Sequence, residues 1–462
     1  MERTIRTWPG RFLARPWLLA FVPINAATSG FGVALPLLIL ITLHGAWVDV
    51  AIAASLFNGA VILASMFWGY LSDRYTDRRA FLLFNFVGFA ILYVIIADSP
   101  SIPVLFLLYT IVGLLAPAGA SASNLLILEQ FDDAERPNAF ASFQEMSILG
   151  SMAGLLVGWA WLLDNRPLAP LLYVLALLSA ISVAAVWIGV KPSPRALTTS
   201  HVAEHPEGFV SRLHHSAAWK ISFPFFPLPP SISRRGLGSM RRWLREEFHH
   251  ELPLIFAASL LFNLASNLFN ISYTPYLYSL GITASSIFLV NFANNIAQAF
   301  SFPTSGNLTS RLGADRVVQR ATYIRSLGYL AVAGFTFMPM LTGVAGGANA
   351  IAFGILGAAI AFYSTSSSII LFRALRGRDA GSLLGVNSAL GGLAAVAGAL
   401  LSGVLSVVGS YRLVFLVSAG ALLVSIPLWT AAQVAYAQRH RPTAVPAPGA
   451  APPTAPVGAE TD

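Results

Sequence analysis

The sequence predicts an all-α polytopic membrane protein with twelve transmembrane helices in two six-helix halves. Three observations carry this expectation. The 462 residues are 56% hydrophobic and only 10% charged, whereas a soluble domain carries about 25% charge to cover its water-facing surface. Twelve apolar runs are long enough to cross a bilayer, which takes roughly 20 residues each. A basic motif that follows the second run returns after the eighth.

The runs cover about 17–42, 47–71, 80–97, 103–129, 138–163 and 168–190, then 252–280, 284–308, 317–341, 346–373, 380–408 and 411–436. The chain thus divides into an N-terminal arm (1–16), a first half (17–190), a central loop (191–250), a second half (251–436) and a tail (437–462). The tail is rich in Pro and Ala and is expected to be disordered. The central loop holds a Phe/Pro cluster, Phe223 to Pro230, and a basic stretch from Arg234 to Arg245. The 28 Pro and 37 Gly suit membrane helices, where neighbouring helices re-satisfy freed backbone groups. No cleavage site follows the basic N-terminus, so the first run reads as a retained helix.

Orientation follows from the positions of Lys and Arg. The arm carries Arg3, Arg6, Arg11 and Arg15. The loops after spans 2, 4, 8 and 10 carry Arg74, Arg78, Arg79, Arg136, Arg311, Arg316, Arg320, Arg373, Arg376 and Arg378, and the opposite side has only Arg166 and Arg412. Both termini are therefore expected in the cytoplasm, with the plasma membrane as the expected location. Basic residues that flank membrane helices match anionic lipid, and no nucleic-acid-binding domain remains to propose.

The motif after span 2 runs from Gly69 through Asp73, Arg74, Arg78 and Arg79. The one after span 8 runs from Gly306 through Ser310, Arg311, Gly313 and Arg316. An offset of 237 residues (306 − 69) superposes Gly69 on Gly306, Arg74 on Arg311 and Arg79 on Arg316. An internal repeat of six spans marks a transporter built from two halves. On these residues the chain resembles the major facilitator superfamily (MFS), whose signature after span 2 is Gly-x-x-x-Asp-Arg-x-Gly-Arg-Arg. Here the first copy has one extra residue and lacks the internal Gly, and the second has Ser310 in place of the Asp.

The resemblance implies the MFS fold and transport of a small solute by alternating access. It also implies that Asp73 caps a helix of the other half, near Asp379 and Ala380, and helps to hold the cytoplasmic side closed. A carboxylate at a helix N-terminus is stabilised by the free N–H groups and the dipole. Glu129 and Arg136 resemble an intracellular charge pair of the family, and Lys191-Pro-Ser-Pro-Arg195 is similar to a sugar-porter signature without its Glu. Gly69, Asp73, Arg74, Arg78, Arg79, Glu129, Arg136, Gly306, Arg311 and Arg316 thus form the candidate gating set. The bland alternative is that these charges only set topology at the membrane surface.

Polar side chains within spans are costly and tend to face the bundle interior. Span 7 carries a stripe of Ser259, Asn263, Ser266, Asn267, Asn270 and Tyr273, with Pro275 expected to break or kink the helix beyond it. Span 8 carries Asn291, Asn294, Asn295 and Gln298, span 1 offers Asn25, and span 10 offers Tyr363 followed by Ser364 to Ser368. The candidate substrate pathway is Asn25, Asn263, Asn267, Asn270, Tyr273, Asn291, Asn295, Gln298 and Tyr363. Neutral amides and hydroxyls suit an uncharged or amphipathic solute; interhelical hydrogen bonding is the alternative use. Glu145, the acidic residue well inside span 5, is the candidate for proton coupling or, alternatively, a partner of Arg136. Arg325 in span 9 carries the same two readings, functional or structural, and is expected to snorkel inward.

Drug/proton antiporters of the family carry an Arg in span 4 and a Gly-Pro pair in span 5. Here span 4 has no Arg, and Leu155 follows Gly154 in a run spaced Gly150, Gly154, Gly158. Uptake and efflux both stay open. A membrane enzyme is disfavoured, because all eight histidines lie outside the spans and no metal-ligand cluster falls within them. The chain has no Cys and no phosphate-cradling loop. No cofactor or metal is expected. The expected partners are a small-molecule solute, the lipid bilayer and, through Glu145, protons, with the protein acting as a monomer. A transporter-shaped receptor or scaffold that binds a solute without turnover is the rival reading.

Overall fold

The computed structural model describes residues 16–74, 77–99, 101–130, 136–190, 251–337, 342–375 and 380–439. Among them are twelve long helices and no strand. The first half contains α1 (Phe21–Leu37), α2 (Trp47–Arg74), α3 (Arg78–Ala97), α4 (Ile102–Gln130), α5 (Arg136–Leu163) and α6 (Ala169–Gly189). The second contains α7 (Leu252–Ser279), α8 (Ala284–Leu312), α9 (Ala314–Phe335), α10 (Thr342–Leu375), α11 (Ala380–Val408) and α12 (Tyr411–Arg439). A 3₁₀ turn and a π turn extend α1 at either end, giving one apolar span over Trp17–Thr42. Residues 1–15 of the N-terminal arm, the central loop and residues 440–462 of the tail lie outside the described residues.

Ten of these helices are long and apolar enough to cross a membrane. The two others, α8 and α9, contain the amide stripe and Arg316, Arg320 and Arg325. Asn291, Asn294, Asn295, Gln298 and Arg325 turn into the bundle, whereas Arg316 and Arg320 are exposed. Local chemistry sets several ends. Asp77 caps α3 by accepting from the Ala80 N–H, and Thr283 caps α8 by accepting from the Ser286 N–H, both at 3.3 Å. Gly313, at φ 86°, alone joins α8 to α9, a left-handed conformation that glycine adopts without strain. The first half, lacking that glycine, uses a longer connection between Arg74 and Arg78. Pro275 does not break α7, which continues to Ser279. Proline lacks an N–H, so the Ile271 carbonyl loses its helical donor while the surrounding bundle keeps the helix intact.

Helix pairing repeats between the halves. In the first, α1 packs on α5 and α6, α2 on α4, and α3 on α4 and α6. The second reproduces all five pairs six helices later: α7 on α11 and α12, α8 on α10, and α9 on α10 and α12. The main contacts between halves, α2 with α11 and α5 with α8, exchange under the same shift. The sequence repeat is thus a structural one. Outward faces carry exposed Leu, Ile and Val, such as Leu107, Leu177 and Ile351, as expected against lipid.

The glycines of α5 set how closely two elements approach. A Cβ on Gly150 or Gly154 would collide with the Val22 or Ala26 carbonyl of α1, and one on Gly158 with the Phe288 ring of α8. Small residues allow helix backbones to meet in this way. Gly154→Val should therefore lower stability by about 1–3 kcal/mol or more, read as the thermal unfolding midpoint in detergent. Gly334→Ala, where a Cβ meets nothing within 4 Å, should leave the midpoint unchanged or raised. Equal effects at the two sites would refute the close-packing account.

Candidate functional site

A cavity of about 420 Å³ lies between the halves. The second half gives it a polar wall: Asn270 from α7, Asn291, Asn294, Asn295 and Gln298 from α8, and Arg325 from α9. The first half gives a mostly apolar wall, with Val33, Leu35 and Pro36 from α1, Val50 and Ala54 from α2, and Leu155 from α5. Tyr109 of α4 joins this wall, stacked on Phe57 with ring centroids 4.6 Å apart.

Five of the nine expected pathway residues line the cavity: Asn270, Tyr273, Asn291, Asn295 and Gln298. Tyr273 presents its ring, because its hydroxyl donates to the Asn349 carbonyl of α10 at 3.1 Å. The other four do not line it. Asn25 bonds the Phe21 carbonyl at 2.7 Å and Ser147 of α5 at 3.4 Å, which ties α1 to α5. Asn263 and Asn267 each donate to the carbonyl one turn back, both at 2.9 Å. Tyr363 is buried, stacked on Phe262 at 3.3 Å between ring centroids. The hydroxyls beyond it on α10 serve packing as well: Ser305 pairs with Thr365 and Thr309 with Ser366 across α8 and α10.

Arg325 does not snorkel. It is 4% exposed and lines the cavity. Its Nε donates to the Tyr329 hydroxyl at 2.8 Å and Nη1 to the Leu356 carbonyl at 3.3 Å. The Phe262 ring lies 5.3 Å from the guanidinium carbon, a distance at which the ring face attracts a cation. Asn294 reaches the same stretch of α10, donating to the Phe353 carbonyl at 2.7 Å and accepting from Gln298 at 2.5 Å. Gly32 was also invisible to side-chain reasoning. It has none, so it presents backbone to the cavity, and Pro36 four residues on deprives its carbonyl of a helical donor. Ile271 and Pro275 repeat this arrangement in α7. A proline four residues after a wall position was the available signal.

Glu145 is not brought to the cavity. It is exposed and stands 18 residues (163 − 145) before Leu163, five full turns at 3.6 residues each, so the two share one line of α5. Leu163 is 53% exposed, and Glu145 is exposed on the same line. Among the described residues no carboxylate lines the cavity, and no cluster of His, Asp or Glu is placed to hold a metal ion.

At the arginine-rich end, Glu129 of α4 pairs with Arg78 of α3 at 2.8 Å, the two side chains 1% and 7% exposed. Arg136, its expected partner, has its side chain outside the described residues, as do Asp73 and Arg74 at the end of α2. Asp379 also lies outside them, as does the side chain of Ala380. In the second half Asp315 of α9 accepts two bonds from Arg373 of α10, at 2.8 and 3.1 Å. Arg78 and Asp315 are 237 residues apart (315 − 78), the repeat offset, while Glu129 and Arg373 are 244 apart (373 − 129), so the halves join equivalent helices by ion pairs with the charges exchanged. Arg79 donates to the Trp187 carbonyl at 2.6 Å and lies over its ring, joining α3 to α6. Arg311 and Arg316 are exposed.

The halves meet at the other end. Gly158 faces Phe288, and Ala51 of α2 lies 3.2 Å from the Cβ position of Gly403 on α11. Trp47 stacks on Tyr411 with centroids 4.0 Å apart. At the arginine-rich end a Cβ on Gly69 or Gly306 would meet nothing within 4 Å, and the side chains of residues 72–76 and 375–385 lie outside the described residues.

A family model described as the Major Facilitator Superfamily matches residues 17–368 and 255–458, the two matches beginning near the heads of α1 and α7. No curated protein matches the sequence significantly. Among solved structures, that of the nucleoside transporter NupG is similar at a TM-score of 0.65 and 15% identity, over 91% of this chain and 98% of that one. A point mutant of NupG gives 0.67 and 16%, over 90% and 98%. Likeness at this identity speaks for the fold.

The buried pair on α3 and α4 should behave as a unit. Glu129→Gln should cost about 3–5 kcal/mol, because it removes the carboxylate paired with a buried guanidinium, and at least about 1 kcal/mol less in an Arg78→Gln background. Reversible denaturation in detergent reads both. Arg166→Ala, which breaks an exposed pair with Asp164, should change little. Additive losses at Arg78 and Glu129 would show that they are not coupled.

Proposed function

Because the chain belongs to the major facilitator superfamily of membrane transporters, we propose that it carries a small polar or amphipathic solute across the bilayer by alternating access. The observation that carries this reading is the cavity walled by both halves and covered at one end by contacts between them. Within each half, glycine-mediated contacts and buried hydrogen bonds hold the helices together, so the soft surface of the molecule is the one between halves. Separating Gly158 from Phe288 and Ala51 from Gly403 would uncover the cavity on that side. Closure of Gly69 and Gly306 toward their opposite halves would cover it on the other.

With the arginine-rich loops in the cytoplasm, as positive residues favour, both termini are cytoplasmic and the described form opens inward. The six-helix halves 17–190 and 251–436 are then the moving bodies, joined by the central loop 191–250. We place the protein in the plasma membrane. On this reading Asp73, Arg74 and the equivalent Arg311 belong to a gate between the halves. The pathway begins at Asn270, Asn291, Asn295 and Gln298. The reading assigns no proton-binding step to Glu145, which is not among the cavity-lining residues. The nucleosides carried by NupG combine a ring with a polar end and belong in the first set of solutes to try.

The chain has no native cysteine, which permits a direct test. Ala51→Cys with Gly403→Cys places two thiols at a Cβ separation of 3.2 Å, close to the range that a disulfide accepts. Oxidation should lock the halves together, lower flux in proteoliposomes by at least about tenfold, and be reversed by reductant. The solute is whichever of a panel of nucleosides, sugars, amino acids and organic acids raises the unfolding midpoint. Undiminished flux in fully crosslinked protein would sink the alternating-access reading.

A further inference from the structure

We propose that the solute is an organic anion, its carboxylate seated on Arg325 and its apolar body lying against the first-half wall. This rests on the reading of the cavity as a transport site. Arg325 stands at the middle of α9, 4% exposed, on the cavity wall. A guanidinium has five N–H donors and cannot shed its charge. Two of its nitrogens are engaged, Nε by Tyr329 and Nη1 by the Leu356 carbonyl, while Nη2 has no partner among the described residues. Among those residues no Asp or Glu lines the cavity, and the ion pairs lie elsewhere. The rings of Phe262 and Tyr329, 5.3 and 5.4 Å away, attract the cation but bring no negative charge.

A buried charge without a counter-ion is an unfavourable state that a ligand of opposite charge relieves and a neutral one does not. The guanidinium fork matches a carboxylate in plane and spacing. Asn294 and Gln298 stand beside it, and Asn291 and Asn295 add neutral donors on the same wall. The facing wall, with Val33, Leu35, Pro36 and Leu155, offers hydrocarbon. One charged end and one apolar body is what such a site holds, and about 420 Å³ falls within the roughly 300–1,000 Å³ of small-molecule sites. The charge is not inherited from the repeat. The first-half equivalent of Arg325, at 325 − 237, is Gly88, whose Cβ position is filled by Leu115.

The test uses purified full-length protein and matched pairs in which a carboxylic acid and its primary amide share one skeleton, from acetate through benzoate and phenylacetate to naphthoate. Unfolding midpoints are followed against concentration, with chloride and phosphate as inorganic arms. Acids should act at concentrations at least about tenfold below their amides. Arg325→Gln should erase that preference, and Arg325→Lys should keep part of it. Amides equal to acids, a blank across the series, or a full response to chloride with none to the acids would overturn the proposal. If Arg325→Gln does not fold, the wild-type acid and amide curves still decide. Flux separates the two readings. Acid preference without flux removes transport but keeps the anion site. Flux of a neutral solute with no acid preference removes the anion site but keeps transport.

Discussion

No water is present in hydrocarbon to satisfy a polar group, so every amide, hydroxyl and charge inside a span must find its partner in the protein. That constraint sorts the polar residues of this chain. Ser272 meets Ser402 at 2.7 Å across α7 and α11. Ser326 reaches the Ala419 carbonyl across α9 and α12. Asn85 donates to the Leu115 carbonyl across α3 and α4 at 2.8 Å. Each of these holds two helices of one half together. Spare capacity remains at scattered buried atoms such as Ser182 Oγ, Ser266 Oγ and Trp429 Nε1, and on the second-half wall of the cavity, where Arg325 Nη2 has no partner among the described residues. Of these places only the cavity wall is open to a solute, and a polar solute would complete its bonding there.

The repeat supplies a frame and the two copies then diverge on it. Equivalent helix pairs pack in both halves, yet the ion pair at the arginine-rich end is reversed, with Arg78 on α3 and Asp315 on α9. Reversal preserves attraction between the same two helices, so packing tolerates it. The cavity walls diverge further: apolar residues and Tyr109 on one side, amides and a guanidinium on the other. Divergence at the packed contacts is limited by fit, whereas divergence on a cavity wall is limited only by what the cavity holds.

The spans, the two halves and the duplicated motif were legible in the sequence because length, apolarity and the 237-residue offset are one-dimensional features. All twelve helices fall on the expected runs. Partners were not legible. Asn267 and Asn270 share a stripe, but a three-residue step turns the helix through about 300°, enough to give one a carbonyl and the other a cavity. Sequence position alone placed Glu145 inside the membrane without showing that it lies in line with Leu163. Arg325 was misread for a physical reason. Snorkelling is the default for a long cation in a lone helix, and only the packed bundle reveals Tyr329, Leu356 and Phe262 waiting for it at the core.

Arg325 also bears on how the two halves can separate. Its hydrogen-bonded neighbours, Tyr329 and the Leu356 carbonyl, belong to the second half, and so do those of Asn294 and Gln298. The polar wall is thus held from behind, by helices that do not cross the divide. The opposing wall meets it mainly through hydrocarbon, and the contacts that close the far end, Gly158 on Phe288 and Ala51 on Gly403, involve no charge. Parting such surfaces breaks no ion pair and strands no buried donor. A cavity whose amides and guanidinium are anchored on one side can open and shut without rebuilding them, which is the property that a carrier cycling between two faces of a membrane needs.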